Sequence, residues 1–439
     1  MIKIEKVQRE DVYDIEVEDN HNFYGNDILV HNCVEVGMCG YTEDGRSGFQ
    51  ACNLTEINGN LSINPEVFYE QCKAASILGT LQAGYTDFNY VSSATKDIID
   101  REALIGVGIT GWMNNPDVLF NIDVQREGAE TVKHWNKVVA DLIGINQAAR
   151  CCVVKPSGNA SVLLGTASGI HGEHSPRYIR HVQMNKDTEV AKLFNDQNPA
   201  MVTDSVWTGL DYVIGFPIEP KDGSIYKKDL LGVKQLEYVK LAQDNWIEYG
   251  TNKKLCVMPY LKHNVSNTIT VDNWDEVTDY IYDNRRSLCG VSLLSKAGDR
   301  AYPQAPFTEV YTAQQILDAY GDVSLMSSGL IEAGQLAFNE DLWTAVSTAK
   351  GEGEPLTEHS KDLLKRDWVR KFFKFAKNFK SVEACENCLK DVYNLHKWWK
   401  ITNNMVPIDW AVDLGRKEFV DINTLGSSGC SGGSCDTEF

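Results

Sequence analysis

No stretch of about 18 apolar residues occurs in the chain, which excludes a bilayer-spanning helix. The opening residues, Met1 to Glu10, mix Ile, Lys and Glu and lack the apolar centre of a secretory signal. Basic charge is scarce. The 42 Lys and Arg face 61 Asp and Glu, giving −19, a charge that repels a phosphate backbone in the bulk and disfavours general nucleic-acid binding. A small anion is not excluded, since backbone N–H groups can hold phosphate locally. Proline (12) and glycine (34) are too few for a collagen-like or low-complexity chain, and no internal repeat is present. These absences point to a cytoplasmic globular protein without membrane or direct nucleic-acid partners.

What is present is 439 residues, 43% hydrophobic, enough for one large core or two ordinary ones. Twelve cysteines in a cytoplasmic chain are better suited to thiol, ligand or redox roles than to a disulfide framework. Residues 1–32 show short-strand alternation, Ile2 and Ile4, Val12, Ile15 and Val17, then Ile28 and Val30. Polar turns at Asp19 to Asn22 and Gly25 to Asp27 break it. That segment is too short to bury a core alone. From residue 33 to about 415, strand-like runs such as Ile105 to Ile109 and Cys151 to Lys155 alternate with longer helical stretches, predicting an α/β architecture. Residues 360–380 form an amphipathic pattern with Leu364, Trp368, Phe372, Phe375 and Phe379 on one stripe among lysines and arginines. A docked helix with a solvated basic face is favoured over membrane or RNA binding. The Gly/Ser-rich stretch Gly426 to Phe439 has little to pack and is expected to be a mobile tail.

Val12-Tyr13-Asp14-Ile15, His21-Asn22-Phe23 and Val30-His31-Asn32-Cys33 resemble the two C-terminal motifs of inteins, over the whole of residues 1–32. The chemistry explains the residue types. Asn32 must attack its own carbonyl to cleave the bond to Cys33, Cys33 must accept an acyl chain, and His31 can polarise the carbonyl or protonate the leaving amine. The resemblance implies that Asp14 and His21 assist the earlier acyl transfers. With Met1 ahead of it and no earlier intein motif, the segment is expected to be one half of a naturally split intein, or of a longer intein cut at that point, whose partner chain supplies the rest.

Cys33-Val34-Glu35 and Cys52-Asn53-Leu54-Thr55-Glu56-Ile57-Asn58 resemble the active-site loop and redox-cysteine strand of ribonucleotide reductases. Further similar pieces are Gly106 to Gly111, Lys155 to Ser161 and Asn264 to Thr270, so the resemblance covers most of residues 33–439. It implies that Cys33 is the thiyl residue that abstracts the ribose C3′ hydrogen, an exchange between bonds of similar strength. In extended backbone residues i and i+2 share a face, so Glu35 can reach the same sugar and take the 3′-OH proton. Two electrons then come from a cysteine pair closing to a disulfide. Cys52 is one member, and the resemblance places its partner in an N-terminal part of the enzyme. The loop Ser157, Gly158, Asn159, Ala160, Ser161 is implied to hold the nucleotide phosphates, small residues letting N–H groups approach and the two hydroxyls adding donors.

Cys430 and Cys435, separated by Ser-Gly-Gly-Ser, resemble the shuttle pair that carries electrons from a thioredoxin- or glutaredoxin-like donor. Cys385-Glu386-Asn387-Cys388 has the spacing of half a zinc site, but no second pair of ligand spacing accompanies it apart from the shuttle pair and Cys151-Cys152, and no metal is expected. Cys39-Gly40-Tyr41 is similar to a glycyl-radical motif placed at the wrong end of the chain. Reductases that import a radical from a di-metal subunit relay it through adjacent tyrosines. This chain has no adjacent tyrosine pair, and Asp283-Asn284-Arg285, Tyr302 to Phe307 and Cys388 to Val392 are similar to the adenosylcobalamin-dependent class.

The reading is therefore α/β. A short all-β intein fragment (1–32) precedes the second part of a ten-stranded α/β reductase barrel (33–425) and a redox-shuttle tail (426–439). The implied partners are an N-terminal reductase half fused to an intein N-terminal fragment, a thioredoxin-type reductant and a ribonucleotide; the implied cofactor is adenosylcobalamin. The rivals are an intein-fused acidic binding domain without reductase activity and a reductase that uses a di-metal subunit. Diphosphate or triphosphate substrate, allosteric control, oligomeric state, the cobalamin-contact residues and whether Cys385 and Cys388 bind zinc are left open.

Overall fold

The computed structural model describes residues 22–25, 28–31, 36–86, 88, 91–206, 209–296, 306–322, 324, 330 and 367–413. The chain divides into one unit of Met1–Glu173, Lys221–Asp299 and Gly426–Phe439 and a second of His174–Pro220 and Arg300–Leu425. The span 33–425 read above as one barrel portion thus contains parts of both.

The first unit is organised by parallel pairing. Strand β3 (Asn53–Asn58) runs beside β4 (Ile105–Thr110), with Asn53 opposite Ile105 and Asn58 opposite Thr110. The strand-like run after Cys151 lies on the other side of β4: Val107 N–H donates to the Cys151 carbonyl at 2.8 Å and Val153 N–H to the Val107 carbonyl at 3.0 Å. Val154 bridges Val265 in parallel, and β8 (Thr268–Val271) pairs in parallel with β9 (Ser292–Ser295). These segments stand in chain order, each parallel to the next. Parallel neighbours require long crossovers. Helices α1 (Pro65–Ala83) and α2 (Ser93–Glu102) connect β3 to β4, α4 (Ile122–Ile143) follows β4, and α8 (Trp274–Asp283) connects β8 to β9.

Local chemistry sets these boundaries. Asn64 caps α1 by accepting the Val67 N–H at 2.9 Å, Pro65 occupies the first helical turn, and the cap is worth about 1 kcal/mol. Helix α4 starts on Asn121 and stops at Gly144, whose φ of 78° is the left-handed conformation that glycine adopts without penalty. One core joins β3, β4, α1 and α4 through Ile57, Phe68, Cys72, Ile105, Val107, Ile109, Ala129 and Val132, with Trp246 packed into it. A hairpin of β1 (Asn22–Gly25) and β2 (Ile28–His31), antiparallel with Asn22 opposite His31, occupies part of the region whose alternation predicts short strands.

The second unit holds a four-stranded antiparallel sheet. Its order is β10 (Phe307–Glu309), β5 (Tyr178–Asn185), β7 (Asp211–Ile218) and β6 (Val202–Asp204). Trp398 and Ile401 of the helix Val382–Asn404, numbered α11 here, pack with Ile179, Met201, Ile214 and Val310. Helix α10 (Asp367–Ala376) falls within the expected amphipathic stretch. Its Phe372 and Phe375 are fully buried with Leu330, Cys385, Cys388 and Leu389, while Lys371 and Lys374 are exposed. That is a docked helix with a wet basic face. Among the described residues no helix is long and apolar enough to cross a membrane.

Candidate active site

The alternation of β3 builds the site. Thr55 donates its hydroxyl to the Ala75 carbonyl of α1 at 3.1 Å, and Ile57 sits in the core with Phe68 and Cys72 of the same helix. Odd positions therefore face the helices, and Cys52, Leu54 and Glu56 share the opposite face. On β4 that face carries Gly106 and Gly108. A Cβ at Gly106 would come within 2.5 Å of Leu54 Cδ2 and 3.0 Å of Cys52 Sγ, so glycine there is what lets the larger β3 side chains lie across the sheet.

Cys52 is a free thiol. Desolvation pushes it up to about 12, with the Lys155 and Arg150 charges pulling the other way. Its sulfur lies 3.8 Å from Nε2 of His263. The His263 ring is fully buried, and desolvation, then the Arg150 charge, hold it down to about 3, so it is neutral. Arg150 is itself buried. It donates through Nε to the Leu261 carbonyl at 2.7 Å, through Nη2 to the Met258 carbonyl at 3.0 Å and through Nη1 to Glu102 at 3.3 Å. That net pins the backbone just before His263.

Further along the same face, Glu56 accepts the Ser157 hydroxyl at 2.6 Å. Burial raises its pKa, opposed by the Ser157 hydrogen bond and the Lys155 charge. Ser157 N–H donates to Ser168 Oγ at 2.8 Å, and Ser161 Oγ donates to the Ser157 carbonyl and, at 3.1 Å, to that of Gly158. A phosphate bound by this loop has to compete with these internal partners for both hydroxyls. The loop closes over the carboxyl ends of β3 and β4: Asn58 Nδ2 donates to the Leu164 carbonyl at 3.0 Å and Thr110 Oγ1 to the Ala167 carbonyl at 2.8 Å. Carboxyl ends of parallel strands are where α/β sheets bind ligands. His171 fastens the loop to β8 by accepting the Thr268 N–H at Nε2, 3.0 Å, with Nδ1 2.9 Å from the Ser168 carbonyl.

Of the residues singled out from sequence, Cys52 and the segment Ser157 to Ser161 are brought to one face; only Ser157 and Gly158 of that segment are loop, since Asn159, Ala160 and Ser161 open the short helix Asn159–Leu164, and of Asn159 only the backbone is described. Asp14, His21, Asn32, Cys33, Glu35, Cys430 and Cys435 lie outside the described residues, as does the side chain of His31. Cys385 and Cys388 are buried in the apolar cluster of the second unit, where desolvation pushes Cys385 up to about 12, opposite to what a thiolate ligand needs. Among the described residues no group of three or more His, Cys, Asp or Glu could hold a metal ion. Sequence reasoning missed Glu56, Arg150 and His263. The i, i+2, i+4 spacing from Cys52 could have revealed Glu56; His263 directly precedes the similar piece Asn264 to Thr270, but nothing in that piece assigns the histidine a partner.

No protein-family model matches the chain. The adenosylcobalamin-dependent ribonucleoside-triphosphate reductase of Euglena gracilis is 24% identical over 250 residues, covering 54% of this chain and 32% of that protein. The chain spans about a third of the length of this curated relative and is homologous to it over that part. A solved B-12 dependent (class II) ribonucleotide reductase is similar at a TM-score of 0.47 and 15% identity, covering 62% of this chain and 40% of that one.

Proposed function

We propose that this chain is the C-terminal portion of an adenosylcobalamin-dependent ribonucleotide reductase, made with a 32-residue intein fragment that trans-splicing removes. The observation that carries the reading is the shared face of Cys52, Glu56 and the Ser157 to Ser161 loop, with Lys155 beside both acidic groups. Strands rise about 3.3 Å per residue, so Cys52 and Glu56 stand roughly 13 Å apart along β3, a span suited to a sugar at one end and its phosphates at the other.

In this reading Cys33, as a thiyl radical, takes the C3′ hydrogen and Glu35 takes the 3′-OH proton. The 2′-OH leaves as water with a proton from the cysteine pair; Cys52 and a thiol of the N-terminal half supply two electrons and the second proton and close to a disulfide, and Cys33 returns its hydrogen to C3′ while Glu35 returns the proton to the 3′ oxygen. Cys430 and Cys435 then exchange with that disulfide, open it and are themselves reduced by a thioredoxin-type donor. The nucleotide phosphates lie against Ser157 to Ser161.

Adenosylcobalamin supplies the radical by homolysis when bound. The described residues do not build a cradle for it. On the face that carries Cys52, the space over Gly106 is filled by Leu54, Cys52 and Val153, and that over Gly108 is bounded by Val153 and the Thr55 carbonyl. The cofactor rests on the relative and on the lack of an adjacent tyrosine pair.

The test is the spliced enzyme assayed with ribonucleotide, reductant and either adenosylcobalamin or a di-metal subunit preparation. Turnover is expected with adenosylcobalamin alone and is expected to vanish in Cys52→Ser, and in Cys33→Ser when residues 33–439 are combined directly with the N-terminal half, bypassing splicing. Turnover only with the metal subunit overturns the cofactor, and turnover by the Cys33→Ser enzyme overturns the radical role.

A further inference from the structure

We propose that His263 is the positioning residue of Cys52, a neutral imidazole that holds Nε2–H against the Cys52 sulfur while its other nitrogen ties down the loop 36–40. The functional meaning rests on the reading of Cys52 as a redox thiol; the geometry and its test do not.

The tautomer follows from one hydrogen bond. Gly37 N–H donates to His263 Nδ1 at 3.3 Å, and a nitrogen that accepts carries no hydrogen. The single proton of the neutral ring is therefore on Nε2. That atom is 3.3 Å from the Ile105 carbonyl and 3.8 Å from Cys52 Sγ, so one N–H is shared between an oxygen and a sulfur. The ring has little freedom to leave. Gln243 donates to the His263 carbonyl at 3.0 Å and accepts the Val265 N–H at 3.1 Å, pinning the backbone on both sides. Gln243 opens a π-helical turn, Gln243–Ile247, a local irregularity that re-aims side chains and recurs at functional sites. On the other nitrogen, Gly37 lies flat on the chain: a Cβ there would overlap the Lys262 carbonyl oxygen.

This contact matters because the sulfur is desolvated. A neutral N–H donor stabilises thiolate over thiol without the desolvation cost of another charge. The charged groups facing the sulfur are Lys155 and Arg150, the latter offset by its partner Glu102; the neighbouring Cys151 adds a thiol that burial keeps protonated. His263 thus serves Cys52 whenever it must carry negative charge, as it does when a disulfide to it opens, and links that state to the loop following Cys33.

The test uses the full chain. Iodoacetamide labelling of each cysteine is followed by peptide mass mapping across pH in the parent, H263Q, H263N and H263L. Glutamine places an amide N–H near the Nε2 position, whereas asparagine places an acceptor near Nδ1 and cannot reach the sulfur. Cys52 labelling in H263Q is expected within about threefold of the parent, and in H263N and H263L about tenfold slower, with the pH–rate curve displaced upward by about one unit, as loss of a hydrogen bond to a charged group implies. Amide exchange over residues 36–40 should quicken in H263L but not in H263N. Cys72, Cys151 and Cys152 report folding, since they are buried and must stay unlabelled. If H263L labels them, the H263Q and H263N pair decides. Cys52 rates within threefold of the parent in every folded variant would overturn the proposal. Loss of turnover in Cys52→Ser reads the redox role separately, so the two ideas fail independently.

Discussion

Arg150 and Glu102 form an ion pair in which both side chains are completely shielded from solvent, Nη1 standing 3.3 Å from Oε2. Such a pair adds little net stability when intact, but removing one partner strands a buried charge. Arg150→Met is expected to cost about 3–5 kcal/mol. Labelling of Cys151 and Cys152 against urea measures it, since both thiols are buried in the same unit. An unchanged midpoint would show that the pair is not sealed from water.

Splicing is the second hypothesis, motivated by the His31-Asn32-Cys33 junction. Mixing with the complementary chain should release residues 1–32 and join the partner to Cys33 through an ordinary peptide bond, which intact-mass spectrometry reads directly. Asn32→Ala should block the release, because alanine has no amide to attack the carbonyl. A joined product that keeps residues 1–32 would sink the idea.

The tail supplies a third. If Cys430 and Cys435 carry electrons inward, Cys430→Ser or Cys435→Ser should abolish thioredoxin-driven turnover and leave one reduction per pre-reduced enzyme. Unchanged multiple turnover with thioredoxin would take the tail out of the mechanism.

The fourth concerns pH. Tyr320 donates its hydroxyl to Asp391 at 2.7 Å, yet burial wins and raises Asp391 to about 6, with Glu309 adding repulsion. A carboxyl whose folded pKa exceeds its unfolded one favours folding while protonated. That contribution is full below about pH 4 and is lost as pH rises through about 6. Asp391→Asn should therefore stabilise the fold at pH 7.5 by an amount on the order of 1–3 kcal/mol, read as a raised thermal midpoint, and leave the midpoint unchanged at pH 4. Equal effects at both pH values would contradict the assignment.

Much of the first unit was legible because its cues are local. Ile105 to Ile109 alternates and forms β4, and the run after Cys151 takes its place beside it. The aromatic stripe around Phe372 gave its helix. The antiparallel sheet of the second unit was not read: Tyr178–Asn185 and Asp211–Ile218 mix polar with apolar residues on half-covered faces. One edge, Phe307 opposite Arg180, is contributed from far along the chain. The loop after Lys155 was found, but its hydroxyls are engaged by Glu56 and by its own carbonyls. The His263 contacts escaped because its partners, Gly37 and Cys52, lie 226 and 211 residues away, although the similar piece Asn264 to Thr270 begins at the next residue.

The bond from Gly37 to His263 closes a separation of 226 residues. Closing so long a loop is slow and draws its reward only after the parallel strands between have assembled. During synthesis, residues 36–40 leave the ribosome well before their anchor is made. The stretch that follows Cys33 therefore has its latch delivered late. If residues 1–32 are spliced away as proposed, an early-emerging Cys33 would meet the intein partner while the chain beside it still lacks that tether.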